Sequence, residues 1–284
     1  MMRNSRIPPL FCGLLILGAA AHGVTLKERF DKTIPLRPGS QVRLTNINGG
    51  VTFEAWDRNE VRVEAEKQVK ARDSGVARKV MGEIHIDVTP DSSGLRVDTR
   101  MPKRGEAGGG FWDALFGDDV NYGVTYTVHV PRRTAVNVVN SNGGIELTGT
   151  QGDAHLRTSN GGLNLRNVEG DMELKTSNGG IAIVRSAGAL SAKTTNGAIQ
   201  AELTDVPSNA DLSLESTNGG ISIRLPRDSR FSLDAATSNG GVDSDFPIAG
   251  NPKTGRQRLE GDVNGGGPKL LIRTSNGGVH VRSL

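Results

Sequence analysis

The chain has 284 residues, a net charge of +3, 35% hydrophobic and 23% charged residues, only 4% aromatics and 38 glycines. Counting glycine as apolar gives an ordinary globular share of about 48%, which excludes a disordered chain. The glycines follow no three-residue period, which excludes collagen, and a lone cysteine excludes a disulfide scaffold or a zinc site built of cysteines.

Residues 1–23 read as a secretory signal peptide. Arg3 and Arg6 give a positive start, Leu10 to Leu17 an apolar run, and Ala19-Ala20-Ala21 the small residues a peptidase needs. Cleavage after Ala21 or Gly23 fits this pattern. The run is shorter than the roughly 20 residues of a membrane span. Cys12 stands at the start of the run, whereas a lipidated cysteine follows it. Loss of Arg3 and Arg6 leaves 32 basic against 31 acidic residues. The exported chain is therefore near neutral, and no nucleic-acid partner is expected.

Residues 24–130 carry strand-like pieces at irregular spacing: 41–44, 51–55, 61–65, 84–88, 95–99 and 124–130. A short helix is expected over Arg72–Met81. This part reads as a β-rich N-terminal cap, since stacked repeats need covered ends. Within it, 108–126 holds Phe111, Trp112, Phe116, Tyr122 and Tyr126, five of the chain's 11 aromatics. Phe111 and Leu115, and Trp112 and Phe116, are four apart, so one helical turn presents an apolar face. Phe111, Trp112 and Phe116 are thus candidate contacts to a partner or a membrane surface, the alternative being a lid over the end of the repeats.

From residue 131 a repeat organises the chain. Asn142-Gly143-Gly144-Ile145 recurs at Asn160, Asn178, Asn196, Asn218, Asn239 and Asn276, in steps of 18, 18, 18, 22, 21 and 37 residues. An early copy stands at Asn48-Gly49-Gly50-Val51. Thr-Ser or a near equivalent precedes most copies. Between corners the apolar residues alternate: Ile145 and Leu147, then Ala154 and Leu156, then Leu163 and Leu165. Strict alternation marks half-buried strands, two per 18-residue unit. Asn-Gly-Gly suits a corner because these residues tolerate positive φ. A hairpin meander is the alternative. Copies in equal phase favour an all-β single-chain β-solenoid, each coil pairing in parallel with the next. Stacking would set Asn142, Asn160, Asn178, Asn196, Asn218, Asn239 and Asn276 in one column, as a structural ladder of amides. Residues 243–267 interrupt the repeat as an excursion before the last coil.

The serial Thr-Ser-Asn-Gly-Gly copies, Val124–Val130 followed by Pro131, and Gly265-Gly266-Gly267-Pro268 leading to Leu270–Val279 resemble the bacterial "putative adhesin" β-strand-repeat family of unknown function. The resemblance covers nearly all of residues 27–284. It implies a repeat β fold and an adhesin-like role, and it supplies no catalytic residues.

The sequence offers little chemistry. His85, His129, His155 and His280 fall on outward phases or strand ends, without metal-ligand spacing. Asp118 and Asp119 would point to opposite faces of a strand. Asp243 and Asp245 could share a face, which leaves an envelope polysaccharide-acting enzyme as one alternative function, the other being a membrane- or partner-docking assembly or sensor protein that uses the aromatic loop 108–126. Thr158, Thr176 and Thr194 share the phase of the core residues and point inward. Arg157, Lys175 and Lys193 stack outward as a short basic stripe ending at Glu215, a candidate contact for an acidic glycan or lipid head group. The reading is an exported cell-envelope binding or scaffold protein, periplasmic or on the cell surface. It is non-catalytic and needs no cofactor or metal, and its partner is an envelope protein or glycan.

Overall fold

A computed structural model describes residues 14–16, 23–102 and 120–284. The expected signal peptide therefore lies almost wholly outside the described residues. The first strands are β1 (Leu14–Ile16), β2 (Val24–Pro35), β3 (Ser40–Thr45), β4 (Val51–Trp56) and β5 (Glu60–Ala71). Helix α1 (Ser74–Glu83) follows, then β6 (His85–Asp91), β7 (Gly94–Arg100) and β8 (Asn121–Pro131). The repeats give β9 (Thr134–Val139) and β10 (Ile145–Thr148), β11 (Ala154–Arg157) and β12 (Leu163–Arg166), and β13 (Met172–Lys175) and β14 (Ile181–Ser186). They continue as β15 (Leu190–Asn196) and β16 (Ile199–Leu203), then β17 (Leu212–Asn218) and β18 (Ile221–Leu225). The last are β19 (Phe231–Asn239), β20 (Val242–Ser244), β21 (Ala249–Gly255), β22 (Arg258–Val263), β23 (Lys269–Asn276) and β24 (Val279–Ser283).

Two 12-stranded sheets face each other. Each coil places one strand in each sheet and turns between them at its Asn-Gly corner. Pairing between coils is parallel and in register: Ile145 lies beside Leu163, Leu163 beside Ile181, Ile181 beside Ile199, and Ile199 beside Ile221. This is a β-solenoid. The alternation fills it: Ile145, Leu147, Leu163 and Leu165 from sheet 1 and Leu156, Leu174 and Leu214 from sheet 2 are all buried. Each such side chain contributes about 1.5–3 kcal/mol on leaving water.

The rungs do not follow chain order. Sheet 1 runs β1-β2-β5-β8-β4-β10-β12-β14-β16-β18-β24-β20, and sheet 2 runs β21-β22-β19-β23-β17-β15-β13-β11-β9-β3-β7-β6. The rung β3/β4 is therefore threaded between β7/β8 and β9/β10. Residues 40–56, whose spacing reads as irregular, form a coil with its own Asn48-Gly49-Gly50 corner, and Val51 pairs with Ile145. At the other end the final coil, β23/β24, sits between β17/β18 and β19/β20. Spatially it is the last but one. In the excursion, β21 and β22 form an antiparallel hairpin that extends sheet 2 beyond β19.

The ends are closed differently. At one end sheet 1 continues with β5 antiparallel to β8 and β2 antiparallel to β5. Helix α1 packs on them through Ala77, Val80 and Met81. Its start lies two residues past the expected Arg72 because Asp73 is the cap: its carboxylate accepts from the Gly75 and Val76 amides at 2.7 and 3.1 Å. At the other end Phe231 and Phe246 meet edge to face, 5.4 Å between ring centres. Among the described residues no helix is long and apolar enough to cross a membrane.

Candidate binding face

The Asn-Gly corner is held from both sides. Outside, each asparagine amide donates to the carbonyl oxygen of the asparagine one rung back. Asn142 bonds Asn48, Asn160 bonds Asn142, Asn178 bonds Asn160, Asn196 bonds Asn178 and Asn218 bonds Asn196, each at 2.8 Å. The row then passes to Asn276, which bonds Asn218 at 2.8 Å, and ends at Asn239, which bonds Asn276 at 2.9 Å. Every link points the same way. The last donor, Asn48 Nδ2, turns to the Tyr122 carbonyl at 3.3 Å. Asn48 belongs to this row although its copy stands 94 residues before the next. Inside, the buried threonine hydroxyls reach glycine carbonyls of the preceding corner: Thr158 to Gly143, Thr176 to Gly161 and Thr194 to Gly179, at 2.9–3.0 Å.

The second position of the motif, its first glycine, explains the pattern. At Gly161 an added Cβ would lie 2.3 Å from the Gly143 carbonyl oxygen, so no side chain fits. At the third position of the motif, Gly162, the nearest atom would be 3.3 Å away. The copy Asn196-Gly197-Ala198 uses that freedom.

On the outer face of sheet 2, strand register brings Arg157, Lys175 and Lys193 into one row, followed by Glu215. Lys193 is ion-paired with Glu215 at 2.6 Å. Arg157 and Lys175 are exposed and form no ion pair among the described residues. The neighbouring column reads His155, Glu173, Ser191, Ser213, with His155 Nδ1 at 3.1 Å from Glu173. On the side of that column away from the row lies a shallow depression of about 260 Å³, lined by Ser191 and Ser213 and by Asp171, Glu173 and Asp211. On the corner side run the exposed hydroxyls of Ser159, Ser177, Thr195 and Thr217, and beyond them the exposed asparagines. The face thus carries a cationic, a hydroxyl and an amide column side by side.

Further along the same face Asp234 anchors a cluster of cations. Its carboxylate lies 2.6 Å from Arg273, 3.3 Å from Lys269 and 3.5 Å from Arg258. Burial alone would raise its pKa. The hydrogen bond and charge of Arg273, with those of Lys269, outweigh that and hold it below the usual carboxylate range.

The two carboxylates singled out for sugar chemistry do share a face, but Arg282 and His280 engage them. Arg282 spans both, and His280 Nδ1 sits 2.5 Å from Asp243. Sequence reasoning did not find these partners, which lie 37 residues away in the chain. Phe111, Trp112 and Phe116 lie outside the described residues. Among the described residues, no group of three or more His, Cys, Asp or Glu could hold a metal ion.

A family model described as Toastrack DUF4097 matches residues 132–282. No curated protein matches the chain. Among solved structures, the chain is similar to a "putative cell adhesion protein" from Clostridium sporogenes ATCC 15579, at 10% identity over 90% of this chain and 100% of that one, with a TM-score of 0.33. It is also similar to a "putative adhesin" from Bacteroides fragilis NCTC 9343, at 9% identity over 90% and 97%, TM-score 0.38. A third, a "putative adhesin" from Parabacteroides distasonis ATCC 8503, gives 11% identity over 90% and 97%, TM-score 0.33.

Proposed function

The chain belongs to the Toastrack DUF4097 family, and from that premise we propose that it is an exported cell-envelope protein that binds or scaffolds, adhesin-like, without catalysing a reaction. The observation that carries this reading is the row Arg157, Lys175 and Lys193 on the outer sheet face, two of its three cations having no carboxylate partner among the described residues. Regular side-chain columns on parallel strands stand side by side instead of converging, which suits contact with an extended partner better than chemistry at one bond. The engagement of Asp243 and Asp245 by Arg282, and of Asp243 by His280, supports the same reading, because both carboxyl groups are occupied by neighbouring side chains instead of facing an open cleft.

Fractionation of the native host, with protease added to intact cells, tests it. Digestion on intact cells places the protein on the surface. Protection until the outer envelope is opened places it in the periplasm. Recovery in the cytoplasm overturns the export reading. Turnover of an envelope glycan that disappears in the Asp243→Asn, Asp245→Asn double variant overturns the non-catalytic one.

A further inference from the structure

We infer that the Asn-corner side of sheet 2 is a track for an acidic polysaccharide lying along the solenoid axis. This deepens the proposed function and rests on it. Three columns in register carry the inference. Arg157, Lys175 and Lys193 repeat once per rung, about 4.8 Å apart. Beside them Ser159, Ser177, Thr195 and Thr217 expose hydroxyls at the same interval. Next come the asparagines. Within the row each amide spends one N–H on the rung before it and its oxygen accepts from the rung after it. That leaves a second N–H and a second lone pair on each exposed side chain facing water. The eight-membered amide row from Asn48 to Asn239 extends about 34 Å at that rung spacing.

A sugar polymer with carboxylates meets all three columns at once. Its carboxylates face the cations, and its ring hydroxyls, both donors and acceptors, face the Ser/Thr hydroxyls and the amides. A sugar ring in an extended chain advances by a distance of the same order as one rung, so contacts can recur without bending either partner. The shape of the charge favours a line over a plane. The row is one cation wide, bounded along its column by Val139 and Glu215, and its flanking column holds Glu173 and serines instead of cations. A planar anionic membrane would meet that carboxylate as well as the cations.

The test uses the purified chain and immobilised polygalacturonate. Dextran serves as the neutral polymer, galacturonic acid as the monomer, and phosphatidylglycerol vesicles as the anionic membrane. Binding to polygalacturonate that weakens with salt, rises with polymer length and falls at least tenfold in Lys175→Glu is the expected result. Lys175→Gln, which removes the charge without reversing it, should give a smaller loss, with the unfolding midpoint unchanged in both variants. Equal binding of Lys175→Glu, or competition by monomer as effective as polymer at equal uronate concentration, overturns the track. Vesicle binding sensitive to Lys175→Glu without polygalacturonate binding overturns the polysaccharide but leaves an anionic contact face standing. Absence of binding sensitive to Lys175→Glu on both probes overturns the track and the contact face together.

Discussion

Asn276 donates its side-chain amide to Asn218 across 58 residues of chain, while Asn239, only 21 residues beyond Asn218, bonds Asn276 instead. The chain thus leaves one rung open as it passes, builds the next, and returns to fill the gap with its last 16 residues. Among the described residues coil β19/β20 has no direct ladder to β17/β18; β23 and β24 stand between them, and β19 has β22 on its other side.

Removal of residues 269–284 should therefore cost far more than trimming one end of a stack. The coil β19/β20 and the β21/β22 hairpin lose their support together. Limited trypsin digestion should open Arg230, Arg256 and Arg258 in the shortened chain while the centre of the solenoid resists. Protection of those sites equal to the full chain would contradict the threaded order.

The two glycines of one corner should respond differently to a methyl group. Gly161→Ala meets the Gly143 carbonyl and should destabilise by about 2–3 kcal/mol. Gly162→Ala brings its methyl to 3.3 Å from the Gly180 carbonyl oxygen, which a shift of a few tenths of an ångström relieves, and should stay within about 1 kcal/mol. Urea midpoints of the two variants give the comparison, and equal losses would remove the steric account of the motif.

Asn178→Ala breaks two links of the amide row, one given to Asn160 and one received from Asn196. Both neighbours are exposed and regain water, so the cost should lie near about 1 kcal/mol, the ordinary net worth of a hydrogen bond. Thr176→Val should cost more, about 1–3 kcal/mol, because it removes the hydroxyl that the buried Thr176 gives to the Gly161 carbonyl from inside the corner. Chemical denaturation of the two variants ranks them, and the reverse order would mean that the outer row holds the corner.

The Asp234 cluster should make stability fall in acid. A carboxyl whose folded pKa is depressed contributes stability that is fully present above its unfolded value, about 3.9. That contribution is lost as pH falls through the lower folded value. Denaturation curves between pH 5 and about pH 2 should show this loss, and Asp234→Asn should flatten the pH dependence while lowering stability at neutral pH. An unchanged slope in Asp234→Asn would assign the acid sensitivity to other carboxylates.

Much of the core was legible because its signals are local. The 18-residue step and the alternation of Ile145, Leu147, Ala154 and Leu156 set strand, phase and corner without reference to distant residues. The inward Thr158 followed from parity with Leu156. What the sequence hid depends on contacts between remote segments. Nothing near Asn48 states that its coil enters beside Asn142, and nothing near Asn276 states that its rung precedes that of Asn239. The steps of 21 and 37 residues mark an interruption but not its direction. The same limit hid Arg282, whose side chain reaches Asp245 from 37 residues away and also contacts Asp243. Helix α1 starts two residues past the expected Arg72 for a local reason, since the Asp73 carboxylate caps it.

The threaded rungs also bear on how such a protein can change size. A stack built in chain order grows by duplicating any unit, including those at its tips. Here both tips are clasped: β3/β4 and β23/β24 each hold a coil on either side, so an extra unit added there would have no slot in the order. Between Asn142 and Asn196, where successive coils are also spatial neighbours, an 18-residue duplication only lengthens the row. The architecture confines growth to its middle, and there every added coil contributes another corner to the exposed amide column.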